Sequence, residues 1–302
     1  MSFSVLIPCG PSPREVARIR DILESLTRHE PDYELLVVIN DGNEGLGFLD
    51  AYPKTVVIPG PRAGRGWGVG GGLVFNQLVG YSHIAAHTTR SRFVLRLDTD
   101  AWILGPFSKA IAGEFGDPSV GMIGSFVDSN NLGPDRRTPG ISYFAGKAEK
   151  LRRWISLWRK PNWRLLTFIS PSQRAIQRYF HSAEIHGYQN GFLIEGGAFA
   201  LGWNWVEFAQ TLGLYDQAEN FIDTPVTEDL IITMLTYYMG LRAMNSTLFC
   251  IEPSGLRYRV EKMIRKAGQS PIIHSVKHED EYTEFLVRKL LRSTFESSGW
   301  PT

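Results

Sequence analysis

The residues most suited to chemistry are two aspartates one residue apart. Asp98-Thr99-Asp100 follows the apolar run Phe93-Val94-Leu95-Arg96-Leu97. If that run is a strand, alternation sends both carboxylates to one face. Paired carboxylates at a strand end suit Mg²⁺ or Mn²⁺, which prefer oxygen ligands and bridge phosphates. Such a cation acts as a Lewis acid on a diphosphate leaving group. The plain alternative is a solvated turn, where Asp is common. A second acidic pair follows a helix-capping residue in Thr227-Glu228-Asp229. With Thr227 as cap, both acids fall in the first helical turn, where the helix dipole favours their ionised forms. His274 ends the run Pro271-Ile272-Ile273, and an imidazole there can complete a Mn²⁺ site. His278 is the fallback, and His181 and His186 lack a ligand constellation.

Gly66, Gly68 and Gly71 satisfy a Gly-x-Gly-x-x-Gly pattern. A dinucleotide fingerprint needs a tight turn directly from strand to helix. Several loop residues separate Ile58 from Gly66, so that reading is weak. The loop can instead approach a pyrophosphate through its amides, with Arg65 beside it.

These residues need a scaffold. Ser4 to Pro8, Leu35 to Ile39, Thr55 to Ile58, Phe93 to Leu97 and Val120 to Phe126 read as strands. The apolar ones among them suit a parallel sheet covered by helices, an α/β fold. Ser12-Pro13-Arg14-Glu15 has the form of a helix start, with Ser12 as cap and Glu15 closing a capping box. A helix-like segment runs from Gly64 to about His87. Thr227 opens a helix to about Met239, with Gly240 as its stop. Tyr282 to Leu291 is a final amphipathic helix. Ligands of such sheets sit beyond the carboxyl ends of the strands, where Asn40, Asp41, Asp98 and Asp100 all fall.

The chain has 302 residues, 43% hydrophobic and 21% charged, an ordinary globular composition. A formal net charge of +1 gives no bulk signal for nucleic acid. Two distant cysteines, Cys9 and Cys250, form no disulfide framework or zinc pattern. The opening run has no basic flank and no long apolar core, and no stretch is long enough to span a bilayer. A soluble cytoplasmic protein is the expectation. One segment departs from the average: residues 147–178 hold nine basic residues and one acid, Glu149, around an apolar stripe with Trp154 and Trp158. It reads as an acceptor-binding lid, a peripheral membrane contact, or a solvated face over the core.

Taken together, the chain resembles the GT-A glycosyltransferases, most closely the inverting family-2-like ones. Six segments carry the resemblance in the right order. Ser4 to Pro8 resembles their opening strand, Asn40-Asp41-Gly42 the turn that contacts the nucleobase, and Asp98-Thr99-Asp100 their metal motif. Gly196-Gly197-Ala198-Phe199-Ala200 resembles the acceptor-side segment. Gly213-Leu214-Tyr215-Asp216 resembles the turn after it, and Thr227-Glu228-Asp229 the catalytic motif. Asn40 replaces the usual first acid. The Gln-x-x-Arg-Trp motif of processive synthases is absent, so transfer of a single sugar is expected.

The resemblance implies one GT-A-like domain over 1–302. Residues 1–130 would bind a nucleotide-sugar, with UDP-sugar favoured. Residues 136–190 would be an insertion, and 191–302 the acceptor-side half with the C-terminal helix. Asp98, Asp100 and His274 would hold Mn²⁺ or Mg²⁺. Pro8, Asn40, Asp41, Arg65 and Asp98 would bind the donor. Asp229 would be the base, and Gly197 and Glu228 would contact a carbohydrate, lipid-linked or small-molecule acceptor. The rival readings are a sugar nucleotidyltransferase and a non-catalytic nucleotide- or carbohydrate-binding protein on the same scaffold.

Overall fold

The structure is a computed structural model. It describes residues 2–60, 71–88, 91–127, 171–189, 192–222, 224, 227–251, 270–274, 276–277 and 280–297. Their elements run β1 (Ser4–Cys9), α1 (Arg14–His29), β2 (Leu35–Asn40), a 3₁₀ segment (Glu44–Ala51), β3 (Thr55–Pro59) and α2 (Gly71–His87). Then come β4 (Phe93–Leu97), β5 (Trp102–Ile103), α3 (Ser108–Glu114), β6 (Val120–Val127) and α4 (Pro171–Ile185). The rest are β7 (Leu193–Gly202), α5 (Trp203–Thr211), a 3₁₀ turn (Ala218–Phe221), α6 (Glu228–Tyr238), β8 (Arg242–Asn245), β9 (Phe249–Ile251), β10 (Ile272–His274) and α7 (Glu281–Ser297).

Seven strands form one sheet in the order β3-β2-β1-β4-β7-β6-β8. The β3–β2, β2–β1, β1–β4 and β6–β8 pairs are parallel, and β7 runs antiparallel to both β4 and β6. The mostly parallel sheet expected from the apolar strands is thus present. Its centre, β1 and β4, is buried along its whole length. Alternation divides each strand between two cores. Leu6 and Val94 join α2, α4, α5 and α6 on one face. Val5, Ile7, Phe93, Leu95 and Leu97 join α1 on the other. Helix α2 lies so close to the sheet that a Cβ on Gly80 would come within 2.4 Å of Leu6 and 2.7 Å of Ile39.

A second sheet, β5-β10-β9, is the element the sequence conceals. With only two residues in β5 and three in β10, neither has a readable period. It covers a small core of Trp102, Leu104, Ile273, Val276, Val287 and Leu291 beneath α7.

Helix starts differ from expectation. Pro13, not Ser12, occupies the N-cap of α1, with no side-chain cap bond. The Ser12 hydroxyl accepts a long 3.4 Å bond from the Arg14 amide. Glu15 closes no capping box, because its carboxylate pairs with Arg18 at 3.1 Å and accepts the Thr99 hydroxyl. Thr227 does precede α6 with extended backbone, but its hydroxyl donates to the Asp229 carboxylate and caps no helix amide. Within the segment 136–190, α4 contributes Ile176, Tyr179, Phe180 and Ala183 to the main core. Residues 136–170 lie outside the described residues, as does most of the basic, aromatic stretch. No helix among the described residues is long and apolar enough to cross a membrane.

Candidate active site

The acidic pair sits where β4 ends against β7. The Asp98 amide donates to the Gly197 carbonyl at 2.6 Å, and the Ala101 amide donates back to the Asp98 carbonyl at 3.0 Å. Asp98 to Ala101 is therefore a turn. The carboxylates converge through that turn, not by continued strand alternation, because the ladder stops at Leu97. What gathers them is His274. Its Nε2 lies 2.9 Å from Asp100 Oδ1 and 3.3 Å from Asp98 Oδ2. Ligand atoms of Asp98, Asp100 and His274 all fall within 4.8 Å of one another.

The second sheet explains how residues 174 positions apart meet. Directly after the acidic turn, Trp102 and Ile103 pair antiparallel with Ile273 and Ile272, which also pair in parallel with β9. The Val276 amide then donates to the Asp100 carbonyl at 2.9 Å. Gly197 makes the room. It has φ +103°, and a Cβ there would lie 2.1–2.3 Å from the atoms of the His274 ring. Gly197→Ala is therefore expected to displace His274 and weaken metal-dependent ligand binding, besides lowering stability through the strained φ. Titration of Mn²⁺ in a melting assay checks this. Unaltered metal response would show that His274 is not needed.

Electrostatics make the cluster a poised charge centre. Burial alone would push the Asp98 and Asp100 carboxyls up. Arg96 and His274 hold Asp98 below its usual range, and His274 and Lys277 hold Asp100 well below it. Burial would likewise strip the proton from His274, but the two carboxylates outweigh it and raise the imidazole to about 9. Lys277 Nζ stands 2.7 Å from Asp100 Oδ2. With burial working against its charge, Asp100 still raises its pKa.

Beneath Asp98 lies Arg96, fully buried, with Nη2 at 2.7 Å from Asp98 Oδ1 and 4.0 Å from Glu228 Oε1. Glu228 opens α6 beside Gly196, where a Cβ would lie 2.8 Å from its Oε1. The expectation that the helix dipole keeps Glu228 ionised fails. Burial, then the neighbouring Asp229 charge, raise it to about 7, and Arg96 offsets only part. Desolvation exceeds a terminal-dipole effect of about 0.3–1 kcal/mol. Asp229 is buried, and its Oδ1 accepts from the Thr227 hydroxyl and, at 2.8 Å, from the Leu230 amide.

The residues expected on the nucleobase side, Pro8, Asn40 and Asp41, lie at the ends of β1 and β2. Pro8 is buried opposite Ile39, and Asp41 is fully buried. The Asn40 side chain locks its own turn, accepting from the Asn43 amide at 2.6 Å and donating to the Asn43 carbonyl at 2.8 Å. That use leaves it a structural duty the sequence did not suggest. Arg65, Gly66, Gly68 and His278 lie outside the described residues. His181 and His186 are exposed. Burial, with Glu15 and Asp41 nearby, pushes the Cys9 thiol up to about 12. Three residues of the site escaped the sequence reading. Arg96 stands out in the sequence as the one charge in an apolar strand, Glu15 has the spacing of a capping acid, and Lys277 carries no signal.

The mostly parallel sheet with one reversed strand and acids at the carboxyl end of β4 agrees with the GT-A-like α/β fold expected from the sequence. No protein-family model matches the chain, and no curated protein sequence does. Solved structures do. The bifunctional glycosyltransferase WbbM in its apo form is similar with a TM-score of 0.50 and 10% identity, covering 99% of this chain and 50% of that one. This chain thus spans about half of WbbM. The galactosyltransferase LgtC, solved with donor and acceptor sugar analogues, is similar at 12% identity, TM-score 0.49, covering 96% of both chains. The mannosyltransferase PcManGT from Pyrobaculum calidifontis, solved with GDP-Man and Mn²⁺, is similar at 13% identity and TM-score 0.44, covering 88% of this chain and 61% of that one. At these identities the likeness is one of fold.

Proposed function

We propose that the chain is a metal-dependent glycosyltransferase that moves one sugar from a nucleoside-diphosphate sugar to an acceptor hydroxyl. The observation that carries the reading is the convergence of Asp98, Asp100 and His274 at the carboxyl end of β4, where such sheets bind ligands. Two carboxylates and an imidazole are a donor set that suits Mn²⁺ or Mg²⁺. A cation held by these three would neutralise charge developing on a departing diphosphate.

The chain's own residues divide the remaining work. Asp100 is now paired with Lys277, so a cation taking Asp100 would free Lys277, half-exposed at the rim, to face the diphosphate. Pro8 and Asp41 would line the base side, with uridine favoured. Asp98 would also reach the ribose, and Arg65 the pyrophosphate. Across the site, Asp229 would accept the proton of the attacking hydroxyl, giving direct displacement with inversion. Glu228 and Gly197 would border the acceptor, which would be a carbohydrate, a lipid-linked sugar or a small molecule. The basic, aromatic composition of residues 147–178 supports contact with a lipid-linked acceptor at a membrane surface.

A melting-temperature panel of nucleoside diphosphates with and without Mn²⁺ tests the reading. A ligand binding the native state at a hundredfold excess over its Kd adds about 2.7 kcal/mol. Uridine diphosphate is expected to stabilise only when metal is present. Equal stabilisation after chelation would remove the metal bridge from the proposal.

A further inference from the structure

Arg96 is a full charge in the middle of an apolar sheet. Its strand is flanked by β1 and β7, and Val94, two residues earlier on the same face, belongs to the apolar core. Burying a guanidinium is unfavourable unless partners surround it, and an apolar side chain of like volume would often serve folding as well. The reason for the charge therefore lies in its partners.

Those partners come from three elements. Nη2 bonds Asp98 Oδ1 at 2.7 Å in the turn after β4. The same nitrogen faces Glu228 Oε1 at 4.0 Å on the first turn of α6. Gln77 of α2 lies alongside, and with its side-chain amide turned to place the oxygen toward Arg96 it accepts from Nε and Nη2, each at 3.2 Å. The guanidinium lies 5.5 Å from the Phe199 ring centre on β7, with Phe199 registered directly opposite Arg96. Strand, helix and ring thus fix the plane of the fork, and the fork in turn reaches acids on both sides of the site.

We propose that Arg96 is a positioning residue that joins the two halves of the site, setting the separation of the metal-side carboxylate of Asp98 and the acceptor-side carboxylate of Glu228. It touches no reacting atom. Its contribution is geometric: donor phosphates held through Asp98 and an acceptor bordered by Glu228 are referred to one rigid, buried fork. Arginine suits this because its rigid, planar head holds Nη2 between the two acids, whereas lysine offers a point charge on a flexible stem. The kinetic part of this inference rests on the transfer reading above; the structural part rests on the geometry alone.

The experiment has two arms. In the first, Arg96→Met and Arg96→Lys are compared by single-turnover transfer and by titration of uridine diphosphate with Mn²⁺. Misplacement of reacting groups by about 1 Å slows reaction by about 10²-fold. Arg96→Met is expected to lose that much in transfer rate, with the Kd changed by less than about tenfold. Arg96→Lys is expected to recover only part of the rate. A folded Arg96→Met, or a folded Arg96→Lys, that transfers at the wild-type rate overturns the proposal. The second arm needs no activity. Melting temperatures of ligand-free Arg96→Lys, Glu228→Gln and the double variant form a cycle. A combined shift smaller than the sum of the two supports the coupling of Arg96 to Glu228, and a simple sum overturns it. If the wild type transfers no sugar, the functional reading falls while this cycle still decides the role of Arg96.

Discussion

Asp229→Asn is expected to leave metal-dependent donor binding intact and to slow sugar transfer by about 10²–10⁴-fold, the range for loss of a general base. An acceptor hydroxyl is a poor nucleophile until its proton is taken as the new bond forms. Asparagine keeps the shape of the residue and can still accept the Leu230 amide that Asp229 Oδ1 accepts at 2.8 Å. The Thr227 hydroxyl, which donates to the same oxygen, also keeps a partner. Helix α6 should therefore form as before, and the loss should appear in the chemical step. Glu228 is the internal control. Its carboxyl, raised to about 7 by burial and by the Asp229 charge, is itself a capable proton acceptor near neutrality. Removing the Asp229 charge withdraws one cause of that rise and lowers the Glu228 pKa. The measurement is single-turnover transfer for Asp229→Asn and Glu228→Gln, beside a donor titration. A larger loss in Glu228→Gln would exchange their roles. Loss of donor binding in step with rate would make Asp229 a donor-site residue.

The strands of the central sheet are legible in the sequence because they are long enough to reveal their burial. Ser4 to Pro8 and Phe93 to Leu97 read as buried strands, and they are the centre of the sheet. The acids at the end of β4 were visible for the same reason: two charges after five mainly apolar residues mark where the strand leaves the core. The route by which His274 reaches them was not visible. It depends on β5 and β10, whose pairing is set by tertiary contacts rather than by any local period. The charge state of a residue is not legible where it depends on burial. Glu15 resembles a capping-box acid from its spacing alone, but in the fold it reaches Thr99 between the two site aspartates. Glu228 has the sequence position of a dipole-stabilised carboxylate, and burial together with the Asp229 charge reverses that. Arg96 makes the same point from the other side. A lone arginine in FVLRL is an anomaly in sequence, and it acquires a meaning only when Asp98 and Glu228 are found on either side of it.

Asp100→Ala is expected to abolish the metal dependence of donor binding. Loss of an outer-shell partner already lowers metal affinity by about 10–100-fold, so removal of a direct ligand should reach at least the upper end of that range. The variant should fold, because Asp100 lies in the turn after β4 and its structural bond to Val276 is made by its backbone carbonyl. The wild-type pH profile provides an independent check on the same site. Without metal, burial opposes charge on His274, but Asp100 and Asp98 hold its proton up to a pKa of about 9. A metal takes the neutral imidazole, so binding at pH 7 must release that proton. Apparent Mn²⁺ affinity should then rise by about tenfold per pH unit toward 9 and level off above it. For the ligand-free fold the sign is opposite. The imidazolium adds stability that is complete below its unfolded value of 6.5 and is lost as pH rises through about 9. In Asp100→Ala one of the two carboxylates that raise His274 is gone, so the steep part of any residual metal titration should move to lower pH. Isothermal titration with Mn²⁺ in buffers of different ionisation enthalpy counts the released protons. Affinity independent of pH between 7 and 9, or wild-type Mn²⁺ binding by Asp100→Ala, would exclude this cluster as the metal site.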